Sequence, residues 1–119
     1  MYSEAGVQGD GGLCSTVLDL GRLPAALAEH RLIPEARIAE MLQPTVLANG
    51  ASVDYGLGTR LGSLEGHPVW GPTGSFLLTY GSTLAHYPED DVTIAVLINT
   101  TNTAADALVI EGLVAEVLN

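Results

Sequence analysis

The run Val92-Thr93-Ile94-Ala95-Val96-Leu97-Ile98 constrains the fold more than any other stretch of this chain. Its β-branched residues favour an extended backbone, and only Thr93 is polar, whereas a strand with one face in water alternates apolar and polar side chains. A strand of this composition needs cover on both faces. The sequence therefore predicts a central strand at 92–98, with other elements packed above and below it. Pro88, Glu89, Asp90 and Asp91 just before it form a turn, which points to a hairpin with the preceding strand.

Three segments carry the helical spacing that such cover requires. Thr16 followed by Asp19 fits a capping box, and Val17, Leu20, Leu23 and Leu27 fall on one face of the helix it opens. Pro24 lacks a backbone donor, so this helix is expected to kink or restart there. A short second helix is expected over 34–42, with Pro34 in its first turn, Glu35 at its positive end, and Ile38, Met41 and Leu42 as its face. From Thr103 to Leu118, residues Ala107, Leu108, Ile110, Leu113, Val114 and Val117 repeat at helical spacing, with Thr103 as a candidate cap. Asn49-Gly50 marks a turn. Further strands are expected at 55–61, 67–73 and 77–87, interrupted by Gly74, Ser75 and Gly81. The fold class is α+β: a short antiparallel sheet of about three to four strands, with two N-terminal helices and a C-terminal helix packed on it. At 119 residues a single domain spanning 1–119 is expected.

Composition excludes several chemistries. All four cations are arginine (Arg22, Arg31, Arg37 and Arg60), so no lysine can act as Schiff base, phosphate anchor or general base. A net charge of −10 opposes binding to nucleic acid or to anionic membrane surfaces, which need clustered positive charge. No apolar run is long enough to cross a bilayer, and residues 1–10 lack the basic start and apolar centre of a signal peptide. Cys14 cannot form an internal disulfide and is expected to be buried near the first helix start. His30, His67 and His86 stand apart from one another without ligand spacing, and the Glu89-Asp90-Asp91 triplet lacks the alternating oxygens of a calcium loop. No metal or cofactor is therefore expected. Gly9, Gly11 and Gly12 follow no strand, which argues against a dinucleotide loop, and Asn99 with Thr101 forms a sequon of low specificity. With 47% apolar residues and 15% charged, the chain carries more apolar surface than a small domain usually needs.

Ordered local motifs carry more information than composition. Gly11-Gly12-Leu13-Cys14-Ser15-Thr16 with Asp19-Leu20 resembles the "GGLxSTxxDL" segment of the serine β-lactamase-like family, which includes class C β-lactamases, DD-carboxypeptidases, penicillin-binding proteins and related esterases. Tyr55-Gly56-Leu57-Gly58 is similar to that family's "YGLG" element. Trp70-Gly71-Pro72-Thr73-Gly74-Ser75 is similar to its "GHTGG" or "KTG" strand, Gly81 falls in the strand that follows, and Pro88 to Asn99 resembles its "P...vvvltN" segment. The resemblance runs from about residue 9 to the end and corresponds to the last third or so of a family domain. The family's Ser-x-x-Lys nucleophile helix and Tyr-x-Asn loop have no counterpart in this chain.

The resemblance implies a C-terminal portion of a serine hydrolase that forms and hydrolyses an acyl-enzyme from an amide or ester of β-lactam or peptidoglycan type. It implies that Thr73 supplies a hydroxyl to a substrate carboxylate, that Ser75 supplies an oxyanion-hole N–H, and that Gly74 permits close approach. Pro72 occupies the family's Lys or His position and can neither carry charge nor donate a proton. No catalytic nucleophile is present, so the chain alone is expected to be inactive; the other reading is a non-catalytic binding or oligomerisation module. Family members are often exported, and this sequence itself assigns no compartment. In the family, the strand matching 92–98 pairs with one from the N-terminal part, so the expected partner is that part or a second copy, as a homodimer.

Overall fold

The computed structural model describes residue 9 and residues 11–76, 80–99 and 103–118. Helix α1 (Val17–Ala28) and helix α2 (Glu35–Met41) precede β1 (Thr45–Val46) and β2 (Ser52–Val53). Then come β3 (Arg60–Leu64), β4 (His67–Gly71), β5 (Thr73–Phe76), β6 (Tyr80–Tyr87), β7 (Val92–Ile98) and helix α3 (Thr103–Val117). The architecture is the expected α+β arrangement, with a two-stranded and a five-stranded antiparallel sheet.

α1 starts where the capping box places it. Asp19 N–H donates to Thr16 Oγ1 at 3.2 Å, and the Thr16 hydroxyl donates to Asp19 Oδ2 at 3.0 Å. Of the two outcomes expected at Pro24, a restart does not occur: the residue lies fully buried inside the continuous helix α1. α2 follows Pro34 and buries Ile38. Asn49-Gly50 closes the β1–β2 hairpin: Gly50 adopts φ 85°, and Asn49 Oδ1 accepts from Ala51 N–H at 3.0 Å.

The strand expected at 55–61 is replaced by a turn and a later strand. Tyr55 forms only an isolated bridge with Arg60, and regular pairing starts at Arg60 in β3. The strand expected at 67–73 breaks at Pro72 into β4 and β5, while Gly74 and Ser75, expected as interruptions, lie inside β5. Proline supplies no ladder donor, which accounts for a break at 72 in place of 74. The start of the 77–87 strand lies outside the described residues, which resume with β6 at Tyr80.

β6 is the hub of the main sheet. It pairs along one edge with β7, and along the other with β5 and, through Trp70–His86, with β4. β7 is therefore a terminal strand of the sheet among the described residues, not the central one its composition suggests. Its apolar character reflects cover on both faces: α1 packs on it, and α3 packs on it and on β6. The core on the α3 face joins Ala85, Tyr87, Ile94 and Val114, flanked by Leu64, Val69, Val92, Val96, Ile110 and Leu118. Cys14, expected to be buried, is instead exposed just before α1, where none of the described elements reaches over it. The capping of α3 by Thr103 and the Thr101 end of the sequon lie outside the described side chains.

Candidate functional site

β5 is short, exposed and paired on one side only. β3 covers β4 from Arg60–Gly71 to Leu64–His67 but does not extend beside β5. The far edge of β5 is therefore free of strand partners among the described residues.

The ladder fixes which way its amides point. Leu84 N–H donates to the Pro72 carbonyl at 3.1 Å, which makes the Thr73–Thr83 pair the non-hydrogen-bonded kind. Alternation then makes Gly74–Ser82 a hydrogen-bonded pair and Ser75–Gly81 non-hydrogen-bonded. The N–H and C=O groups of Thr73 and Ser75 consequently face away from β6, toward the uncovered edge. Thr73, Gly74 and Ser75 are all exposed. An edge strand that holds an N–H fixed and outward has the geometry needed to stabilise an oxyanion, because the donor requires no reorientation.

Gly71 sets this geometry by close backbone approach, and Gly74 faces only a side chain. A Cβ on Gly71 would lie 1.8 Å from the Leu84 carbonyl oxygen, so only glycine lets the strand cross β6 before Pro72. Pro72 accepts from Leu84 but has no N–H to return, and the regular ladder stops there. A Cβ on Gly74 would meet Ser82 Oγ at 2.7 Å, a contact with a side chain that can rotate. Pro72 itself is exposed and, by strand alternation, shares a face with Trp70 and Gly74.

That face is braced by an aromatic contact below the strand. Trp70 and His86 meet edge to face with ring centroids 5.0 Å apart, and His86 Nδ1 lies 2.9 Å from Thr93 Oγ1. Burial lowers the His86 pKa, and the nearby Asp91 charge opposes this with a smaller effect. His67 Nδ1–H donates to Asp90 Oδ2 at 2.9 Å, so the acidic turn also ties β4 to the β6–β7 corner. These contacts place both histidines in structural roles. Among the described residues, no three His, Cys, Asp or Glu side chains converge as metal ligands.

On the opposite face, Arg60, Leu64, Val69, Thr73, Thr83 and Ile110 line an open groove of about 200 Å³. The sequence reading missed Arg60 and Thr83, because only the register of β3 and β6 brings them toward Thr73. The Tyr55-Gly56-Leu57-Gly58 element lies elsewhere, as a turn locked to the end of α2. Leu57 N–H donates to the Met41 carbonyl at 2.9 Å, and a Cβ on Gly56 would lie 2.0 Å from that same oxygen.

In comparison with known families, the family model described as Beta-lactamase matches residues 1–119. No curated protein and no solved structure matches the chain.

Proposed function

Because the chain belongs to the β-lactamase family, we propose that it forms the C-terminal, substrate-facing part of a serine hydrolase acting on an amide or ester of β-lactam or peptidoglycan type. The observation that carries this reading is the outward N–H of Ser75 on an uncovered edge strand. In the proposed reaction a serine from the nucleophile-bearing part attacks the substrate carbonyl, and the Ser75 N–H donates to the oxyanion that develops. Collapse of the tetrahedral intermediate expels the amine or alcohol, and water then releases the acid from the acyl-enzyme. Thr73 offers its hydroxyl to a substrate carboxylate, and Gly74 keeps the strand surface low enough for approach.

Pro72 removes the charge or proton donor that this position supplies in the family. The proposed parent therefore positions its substrate through backbone donors and the Thr73 hydroxyl. The chain has no lysine and no Ser-x-x-Lys, so alone it should give neither a burst nor turnover with a chromogenic cephalosporin or a nitrophenyl ester. Turnover at the rate of a complete hydrolase would overturn the division of labour.

The same Pro72 favours a second reading, a non-catalytic module that uses the edge or groove for binding or for oligomerisation. Joining the chain to a nucleophile-bearing part separates the two, since acylation of the joined protein supports the hydrolase and its absence supports the module. In either reading the isolated chain is proposed to self-associate through surface that its own elements leave uncovered.

A further inference from the structure

The Asn49-Gly50 turn stands apart from the edge strand and the groove, and it sets a nucleophile beside an electrophile. A backbone nitrogen attacks the side-chain amide of the preceding residue most readily when its own residue has no side chain to block the approach. Asn49 precedes glycine, whereas Asn99 and Asn102 precede β-branched threonines. No atom lies within 4 Å of a Cβ placed on Gly50, so the surroundings leave the turn uncrowded.

The hairpin holds the two reacting groups in opposed ways. Ala51 N–H donates to Asn49 Oδ1 at 3.0 Å, which draws electron density from the amide carbon and favours the oxyanion that attack would form. Gly50 N–H donates to the Leu47 carbonyl at 2.8 Å, and a nitrogen held this way is not free to lose its proton or to turn toward the side chain. Leu47 N–H closes the loop on the Ala51 carbonyl at 2.8 Å. The closed loop thus activates the electrophile and restrains the nucleophile.

That restraint is weak. Among the described residues β1 and β2 pair only with each other, over two residues each, and every residue from 43 to 55 is exposed. A two-stranded hairpin without packing is marginally stable, so it opens well below the free energy of global unfolding.

We propose that Asn49 is a deamidation site whose reactivity the β1–β2 hairpin gates. When the loop opens, the Gly50 nitrogen gives its proton to solvent and forms a bond to Asn49 Cγ. The Cγ–Nδ2 bond breaks, ammonia leaves with a proton taken from water, and a cyclic imide remains. Water then adds to one of the two imide carbonyls. Cleavage between the nitrogen and Cγ gives aspartate with the main chain intact. Cleavage between the nitrogen and the Asn49 carbonyl carbon gives isoaspartate, with the chain running through the former side chain. Either way water is gained, ammonia is lost, and a carboxylate replaces a neutral amide. Aspartate keeps an oxygen for the Ala51 N–H, so the loop can close again. Isoaspartate adds a backbone atom between Leu47 and Ala51 and works against that closure.

Cleavage after Arg37 and Arg60 releases the peptide 38–60, which contains Asn49 and no other asparagine. The chain is incubated at mildly alkaline pH, either folded or in guanidinium chloride, and the mass of that peptide follows the exchange of amide for acid. Both samples should convert, the folded one about 10–100-fold more slowly, because the loop hydrogen bonds must break first. Asn49→Gln would have to close a larger ring and should lose the conversion in both samples. A folded chain that stays intact beyond that range while the unfolded chain converts overturns the site. Equal rates in the two samples overturn the gate. Conversion of 38–60 that survives Asn49→Gln overturns the assignment to Asn49, and the unfolded sample gives that result whether or not the variant folds.

Discussion

Replacing Gly71 with alanine probes the contact that lets β4 give way to β5 across β6. The new Cβ would sit 1.8 Å from the Leu84 carbonyl oxygen, 2.7 Å from its carbon and 3.3 Å from Ala85 Cα. All three are backbone atoms, so no rotamer change relieves the overlap and the strands must part by more than an ångström. Parting them endangers the 3.1 Å bond from Leu84 N–H to Pro72 and loosens the edge-to-face contact of Trp70 with His86. Loss of one backbone hydrogen bond costs about 1 kcal/mol, and overpacking adds about 1–3 kcal/mol. The sum, about 2–4 kcal/mol, corresponds to a drop in Tm of about 8–16 °C for a domain of this size. Urea unfolding followed by circular dichroism measures it, with Gly62→Ala as the control. Gly62 lies in β3 of the same sheet with nothing within 4 Å of its Cβ position, so that variant should stay within about 0.5 kcal/mol of the parent. If Gly71→Ala is equally silent, close approach is not what requires glycine there.

Tyr87 is fully buried, and among the described residues its hydroxyl has no hydrogen-bond partner. Tyr87→Phe should therefore leave stability unchanged or raise it by up to about 1 kcal/mol in the same urea assay, and a loss beyond about 1 kcal/mol would mean that the hydroxyl is satisfied. Burial holds the His86 pKa below its ordinary value, so below pH about 6.5 the unfolded chain takes up a proton more readily than the folded one. This contribution is complete above that pH and is lost as pH falls toward the folded pKa. His86→Gln should show a smaller fall in urea midpoint between pH 7 and 5.5 than the parent, and an unchanged fall would assign the pH dependence to other groups.

Signals in the sequence are legible where the physics is local. Thr16 and Asp19 located the start of α1, Asn49-Gly50 located a hairpin turn, and the β-branched run located β7 to the residue. Readings that needed partners did not follow so directly. β7 was expected at the centre because cover on both faces and pairing on both edges leave the same apolar signature in a strand. Pro72 rather than Gly74 breaks the ladder, since the outcome depends on which amides the register turns inward. The motif placed Thr73, Gly74 and Ser75 on one strand, but the outward direction of the Ser75 N–H emerges only from the pairing of β5 with β6. Arg60 and Thr83 reach the groove beside Thr73 from elements far away in sequence, and nothing adjacent to them signals it.

The proposed role of Ser75 is tested most directly by acylation of a protein in which this chain is joined to its nucleophile-bearing part. Ser75→Ala keeps the backbone N–H and should leave the burst rate with a chromogenic ester within about threefold of the parent. Ser75→Pro removes that donor at a position where the ladder does not use it, and the burst rate should fall by about 10²–10³. Equal burst rates for the two variants would contradict an oxyanion-binding role for the Ser75 N–H.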